Sequence, residues 1–134
     1  YTSPKGVKYE ITTNSQGLLA KEDPNNVEFN VDAVMKQKML AKDFGKYADA
    51  DGELKINFLS NNDITGGNSG SPVINADGHL IGAAFDGNWE AMSGDIFFEP
   101  ELQRTISCDI RYILWLIDKC YGAAHLVDEM TLVK

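Results

Sequence analysis

Residues 66–73, Gly-Gly-Asn-Ser-Gly-Ser-Pro-Val, restrict the fold more than any other stretch of this chain. Small or flexible residues surround Ser69, and an apolar run follows at once. Residues 72–75 and 79–85 are apolar runs joined by Asn75-Ala-Asp-Gly78, which reads as a β-hairpin with its turn. A serine on so tight a loop exposes its hydroxyl and gathers backbone N–H groups around one point. A nucleophile that attacks a carbonyl needs both. Gly67 and Ser69 are placed to supply the two N–H groups, and Asn68 between them suits the turn. By composition alone, such a loop is more often a plain surface turn. A nucleophile elbow is a poor fit, because Ser71 stands where its last glycine belongs and a hairpin, not a helix, follows.

Composition narrows the classes. With 134 residues, 43% hydrophobic and 24% charged, the chain is long enough to bury a core and ordinary for one globular domain. Disorder, collagen-like repeats and a disulfide-dense mini-protein are excluded. No apolar run approaches the ~20 residues that span a bilayer. The net charge of −8 has the wrong sign for a nucleic-acid-binding domain. The acid is concentrated: residues 1–60 balance to −1 and residues 61–134 to −7, so the second half would welcome a cationic group. Cys108 and Cys120 bracket an expected helix, roughly 18 Å apart along its axis, and read as two buried free thiols. No His/Cys cluster has metal-ligand spacing, so neither metal nor organic cofactor is expected. The chain starts at Tyr1 without a signal segment, as a processed protein or an excised piece would.

Along the chain, residues 7–11 alternate as a half-buried strand does. Residues 23–26 are turn chemistry. Asn30 or Asp32 is expected to cap a helix to about Ala41, carrying Val31, Val34, Met35 and Met39, with Gly45 after its end. Residues 49–53 read as a surface turn rather than a calcium loop, because Tyr47 and Phe58 would occupy ligand positions. Residues 54–59 and 105–108 read as strands, and Phe85-Asp-Gly-Asn88 as a further turn. Residues 109–119 read as a closing helix.

The string Gly-Asn-Ser-Gly-Ser-Pro-Val, with Gly78-His-Leu-Ile-Gly82 after it, resembles the serine loop of trypsin-like peptidases. Asn57-Phe-Leu-Ser-Asn-Asn-Asp-Ile-Thr-Gly-Gly-Asn-Ser69, Phe85 through Asp95, and Glu101 through Tyr112 resemble the dipeptidyl-peptidase VII and XI family of Gram-negative bacteria. The similarity is weakest over residues 1–40. It implies a mainly β fold: the C-terminal half, or second barrel, of a chymotrypsin-like double-barrel serine peptidase, closed by a C-terminal helix. It implies that residues 1–134 are the C-terminal part of the catalytic domain, with the first barrel and a helical domain elsewhere in the polypeptide. It also implies a periplasmic or secreted enzyme, homodimeric as a whole, that releases dipeptides from free peptide N-termini.

By the same resemblance, Ser69 matches the nucleophile, and Gly67 and Ser69 provide the oxyanion-hole N–H groups. Asp86 matches the acid that holds the substrate α-amine. Gly87 matches the position that sorts the subtypes: arginine there goes with acidic residues before the scissile bond, and glycine opens a pocket for hydrophobic ones. In trypsin-like order the histidine and aspartate precede the serine. Here both histidines, His79 and His125, follow Ser69, so the triad partners lie outside the chain and the isolated chain is expected to be inactive. Two other readings stand beside this one. One is a trypsin-like endopeptidase fragment, with Asp63 as a pocket acid selecting Lys or Arg. The other is a non-catalytic structural domain.

Overall fold

The computed structural model describes every residue except Pro4, Asp95 and Lys134. The chain divides into two compact units. A sheet unit comprises Tyr1–Thr12 and Asn57–Ile110, and a helical unit comprises Thr13–Ile56 and Arg111–Lys134.

In the sheet unit, β2 (Lys55–Ser60, entering at Asn57), β5 (Thr105–Asp109), β4 (Leu80–Gly87) and β3 (Pro72–Ile74) hydrogen-bond in that order, all antiparallel. The sheet is open, with β3 at an edge. The β3–β4 hairpin forms as its turn chemistry dictates: Asn75 Oδ1 accepts from the N–H groups of Asp77 and His79, and Gly78 N–H donates to Asn75 O. Residues 85–88 correct the sequence reading. The expected turn is instead the end of β4, because Asp86 pairs with Ile106 and Gly87 with Thr105 across a bulge after Ala84. Pairing with a distant strand overrides the local Asp-Gly signal.

Residues 7–11 also differ from expectation. Thr2 and Lys8 form an isolated bridge, Tyr9 N–H donates to Tyr1 O, and the rings of Tyr1 and Tyr9 stack. Val7, Tyr9 and Ile11 all stay largely exposed, so alternation here marks no buried face. The regular strand comes later, as β1 (Thr12–Asn14), where the chain passes into the helical unit.

The helical unit holds α1 (Ser15–Ala20), α2 (Ala33–Leu40), α3 (Ile110–Trp115, from Arg111 on) and α4 (Ala124–Asp128). Asn14 caps α1 through Gly17 N–H, and Asp32 rather than Asn30 caps α2 through the N–H groups of Val34 and Met35. After α2 the chain turns through left-handed residues at Lys42 (φ 51°) and at the expected Gly45 (φ 54°). The closing helix starts one residue late and loosens into a π-helical turn over Leu116–Cys120. Residues 49–53 do form a turn, with Asp49 Oδ1 accepting from the N–H groups of Asp51 and Glu53.

This unit's core is Met39, Phe44, Tyr47, Leu54, Ile56, Leu114, Trp115 and Val127, each at most 7% exposed. Trp115 is completely buried, meets Phe44 edge to face, and donates its Nε1–H to Asp43 O at 2.8 Å. Tyr47 donates to Asp118 Oδ2 at 2.7 Å; burial and then this carboxylate push its phenol above its ordinary range. Both cysteines are free, but half-buried rather than fully buried, and burial pushes each thiol up. Among the described residues, no helix is long and apolar enough to cross a membrane.

Candidate active site

The serine loop spans the gap between β2 and β3 in the sheet unit. Gly67 and Gly70 carry φ values of 95° and 86°, which only glycine adopts without strain. Asn68 is more than a tolerated turn residue. Its N–H donates to Thr65 O, its Oδ1 accepts from Thr65 N–H at 2.9 Å, and its carbonyl accepts from Ser71 N–H. The loop is then clamped onto β4: Gly70 N–H donates to Ala84 O at 2.7 Å, and Ala84 N–H donates to Ser71 O at 2.9 Å.

The N–H groups of Asn68, Gly70 and Ser71 are thus engaged. The two between and beside them are not: among the described residues, neither Gly67 nor Ser69 N–H has a hydrogen-bond partner. These are the two groups the sequence nominates. Unpaired N–H groups are stable at an exposed position because water solvates them, and they can be turned to an oxyanion without breaking any protein bond. Ser69 itself is exposed, and its hydroxyl rests on Phe85 O at 3.3 Å.

Ser69 opens onto a cavity of about 250 Å³. Ile64, Thr65 and Gly66 form one wall, and Phe85, Asp86 and Gly87 at the end of β4 form another. The 3₁₀ turn Trp89–Ser93 supplies Ala91 and Met92. Among the described residues, Asp86 is the one charged residue in this lining. Its Oδ1 accepts from Gly87 N–H at 2.8 Å, and none of the ion pairs among the described residues involves it. An exposed carboxylate without a cation beside an open serine is ready for an ammonium ligand. Gly87 lets the 3₁₀ turn pack directly against the end of β4: a Cβ built on it would stand 2.8 Å from Ala91 Cβ and 3.4 Å from Ile64 Cγ2.

The structure brings Ser69, Gly67, Asp86 and Gly87 to one cavity, and it leaves other candidates out. Asp63 is exposed and does not line the cavity, although its neighbour Ile64 does. His79 sits at the turn end of the β3–β4 hairpin. Six residue steps along the strand, roughly 20 Å, separate it from Phe85, on which Ser69 rests. His125 is exposed on α4 of the helical unit. Asp95, which closes one of the quoted stretches, lies outside the described residues.

Sequence reasoning missed Asn88 and Ala91. Asn88 holds the cavity wall in place: its Oδ1 accepts from Arg104 N–H, its Nδ2 donates to Leu102 O, and its N–H donates to Arg104 O. Its place in Asp-Gly-Asn read as turn chemistry, and nothing local marks its partners 14 to 16 residues away.

An antiparallel sheet thus presents a serine beside two N–H groups without protein partners, over a cavity with a carboxylate at its wall. The chain belongs to the peptidase S46 family, whose model matches residues 1–132. It is 58% identical over 134 residues to dipeptidyl-peptidase 7 of Phocaeicola vulgatus, covering 100% of this chain and 19% of that protein. It is 49% identical over 124 residues to the Asp/Glu-specific dipeptidyl-peptidase of Porphyromonas endodontalis, covering 92% of this chain and 17% of that protein. The crystal structure of Porphyromonas endodontalis DPP11 in complex with the dipeptide Arg-Asp superposes with a TM-score of 0.91 at 47% identity, covering 96% of this chain and 19% of that one. The resemblance to dipeptidyl-peptidases VII and XI therefore holds, and it includes the first 40 residues. The chain spans under a fifth of the length of these relatives.

Proposed function

We propose that this chain is the C-terminal part of the catalytic domain of a serine-type dipeptidyl-peptidase, and that it carries the nucleophile and the substrate-amine site. The observation that carries the reading is the pair of unpartnered N–H groups at Gly67 and Ser69, flanking a hydroxyl that faces a cavity with a free carboxylate. Ser69 Oγ attacks the second carbonyl of a bound peptide. The Gly67 and Ser69 N–H groups hold the resulting oxyanion. Asp86 pairs with the free α-ammonium, so the distance from Asp86 to Ser69 selects cleavage after two residues. The triad histidine and aspartate come from a first barrel elsewhere in the polypeptide. The chain alone is then inactive, since in trypsin-like order the histidine precedes the serine and both histidines of this chain follow Ser69. The family resemblance also supports a periplasmic or secreted homodimer.

For the residue before the scissile bond, we propose a hydrophobic side chain. Among the described residues no Lys or Arg lines the cavity, the one charge in its lining is negative, and Ile64, Phe85, Ala91 and Met92 line it. An acidic side chain would meet Asp86 and no cation there. The relatives named for dipeptidyl-peptidase 7 and those named as Asp/Glu-specific both align with the chain, so the choice rests on the cavity itself.

The test uses the full-length protein on dipeptidyl substrates with free and acylated N-termini. Acylation is expected to abolish turnover, whereas an endopeptidase would keep it. Asp86→Asn is expected to lower kcat/KM about 100-fold on free-amine substrates, the order of effect for losing one partner of a charge pair. Met and Phe before the scissile bond should outrun Asp and Glu; the reverse order would refute the hydrophobic reading.

A further inference from the structure

Gly87 carries no side chain, and the place its Cβ would take is already occupied by another atom. That atom belongs to Ala91. A Cβ on Gly87 would come to 2.8 Å from Ala91 Cβ, closer than two such carbons can stand, and to 3.4 Å from Ile64 Cγ2. Ala91 lines the same cavity as Ser69 and Asp86. It sits in the 3₁₀ turn Trp89–Ser93, where its N–H donates to Asn88 O at 2.9 Å. Asn88 is in turn tied through three hydrogen bonds to Leu102 and Arg104, so the turn that carries Ala91 is pinned to the segment that leads into β5. Ala91 is half-buried, and its methyl packs against Gly87 where a side chain at that position would stand.

We propose that Ala91 is a second specificity-determining residue, whose methyl group sets how large a side chain the cavity accepts before the scissile bond. Gly87 and Ala91 work as a facing pair: the sum of their side-chain volumes, not either one alone, fixes the depth. Enlarging Ala91 fills the space from the turn side and selects against large residues. Removing its methyl makes room for a methyl at position 87. Each methyl or methylene in an apolar pocket changes discrimination by about tenfold or more. The inference rests on the cavity being the pocket for that residue, as proposed above.

The experiment measures kcat/KM of the full-length protein on free-amine dipeptidyl substrates with Ala, Val, Met or Phe before the scissile bond. Wild type, Ala91→Val, Ala91→Gly, Gly87→Ala and the Gly87→Ala/Ala91→Gly double variant are compared, with thermal unfolding of each. Ala91→Val and Gly87→Ala are expected to lower the Phe-to-Ala ratio about tenfold or more. The double variant is expected to recover most of the ratio that Gly87→Ala loses. A ratio that Ala91→Val leaves unchanged, or a double variant no better than Gly87→Ala, would overturn the proposal, and the ratio is insensitive to a uniform loss of folded protein. Absence of dipeptide release by the wild type would instead overturn the function proposed above, so the two failures are distinguishable.

Discussion

In the helical unit, buried polar groups are matched one to another; at the serine loop of the sheet unit, polar groups are left open. Glu53, 8% exposed, accepts from Ser15 Oγ, Gln16 Nε2 and Lys42 Nζ. Trp115 and Tyr47 each place their polar atom on a fixed acceptor. Around Ser69, by contrast, two N–H groups and a carboxylate wait at the surface without a protein donor, acceptor or cation to complete them, apart from the local bond from Gly87 N–H. The apolar side chains divide in the same way. Of the buried apolar residues among those described, every one but Ala84 lies in the helical unit, while Phe85, Trp89, Met92 and Phe97 of the sheet unit are exposed. Side-chain packing holds one unit. Backbone ladders and asparagine-backbone bonds hold the site in the other. A loop held by its backbone can spend its side chains on a ligand.

The sharpest way to break this contrast is at Ser69. Ser69→Ala in the full-length protein is expected to lower dipeptide release by at least about 10⁴-fold with unfolding unchanged, because the side chain does chemistry and little packing. An activity that survives would place the nucleophile elsewhere. In the helical unit the outcome inverts. Trp115→Ala is expected to cost about 3–5 kcal/mol of stability, as large aromatic truncations in a core do, and to leave Asp43 O without its donor. The urea midpoint measures it.

The smallest effect is a pH dependence. The Lys42 ammonium, helped by Gln16 and Ser15, holds the Glu53 carboxyl below its ordinary value of 4.5. Around that value the unfolded chain binds more protons than the folded one, so stability rises with pH there. The contribution is complete above the ordinary value and lost as pH falls through the lowered one. Glu53→Gln should therefore flatten the acid limb of the stability curve and leave activity intact. An unchanged acid limb would show that the Lys42 contact does not bias the titration.

Much of the site was legible because its signals are local. Asn75-Ala-Asp-Gly78 makes its turn with its own side chain, and the glycines on either side of Ser69 permit the left-handed torsions its loop takes. Where the signal depended on a distant partner, the reading failed. Residues 7–11 alternate correctly but lack a surface to bury against, and Val7 and Ile11 stay near half exposed. The Asp86-Gly87 pair looks like a turn until Ile106 and Thr105 pair with it. That extension of β4 is what sets Asp86 and Gly87 in the cavity wall beside Ser69.

The sequence by itself determined the serine loop and its following hairpin, since glycine torsions and turn chemistry act within a few residues, and the family resemblance alone singled out Asp86 and Gly87. Only the tertiary structure decided that Gly67 and Ser69 keep their N–H groups free, that Asn88 pins the cavity wall, and that Ala91 faces Gly87. Those facts depend on which backbone groups find partners 14 or more residues away, and such pairing is a property of the folded chain as a whole.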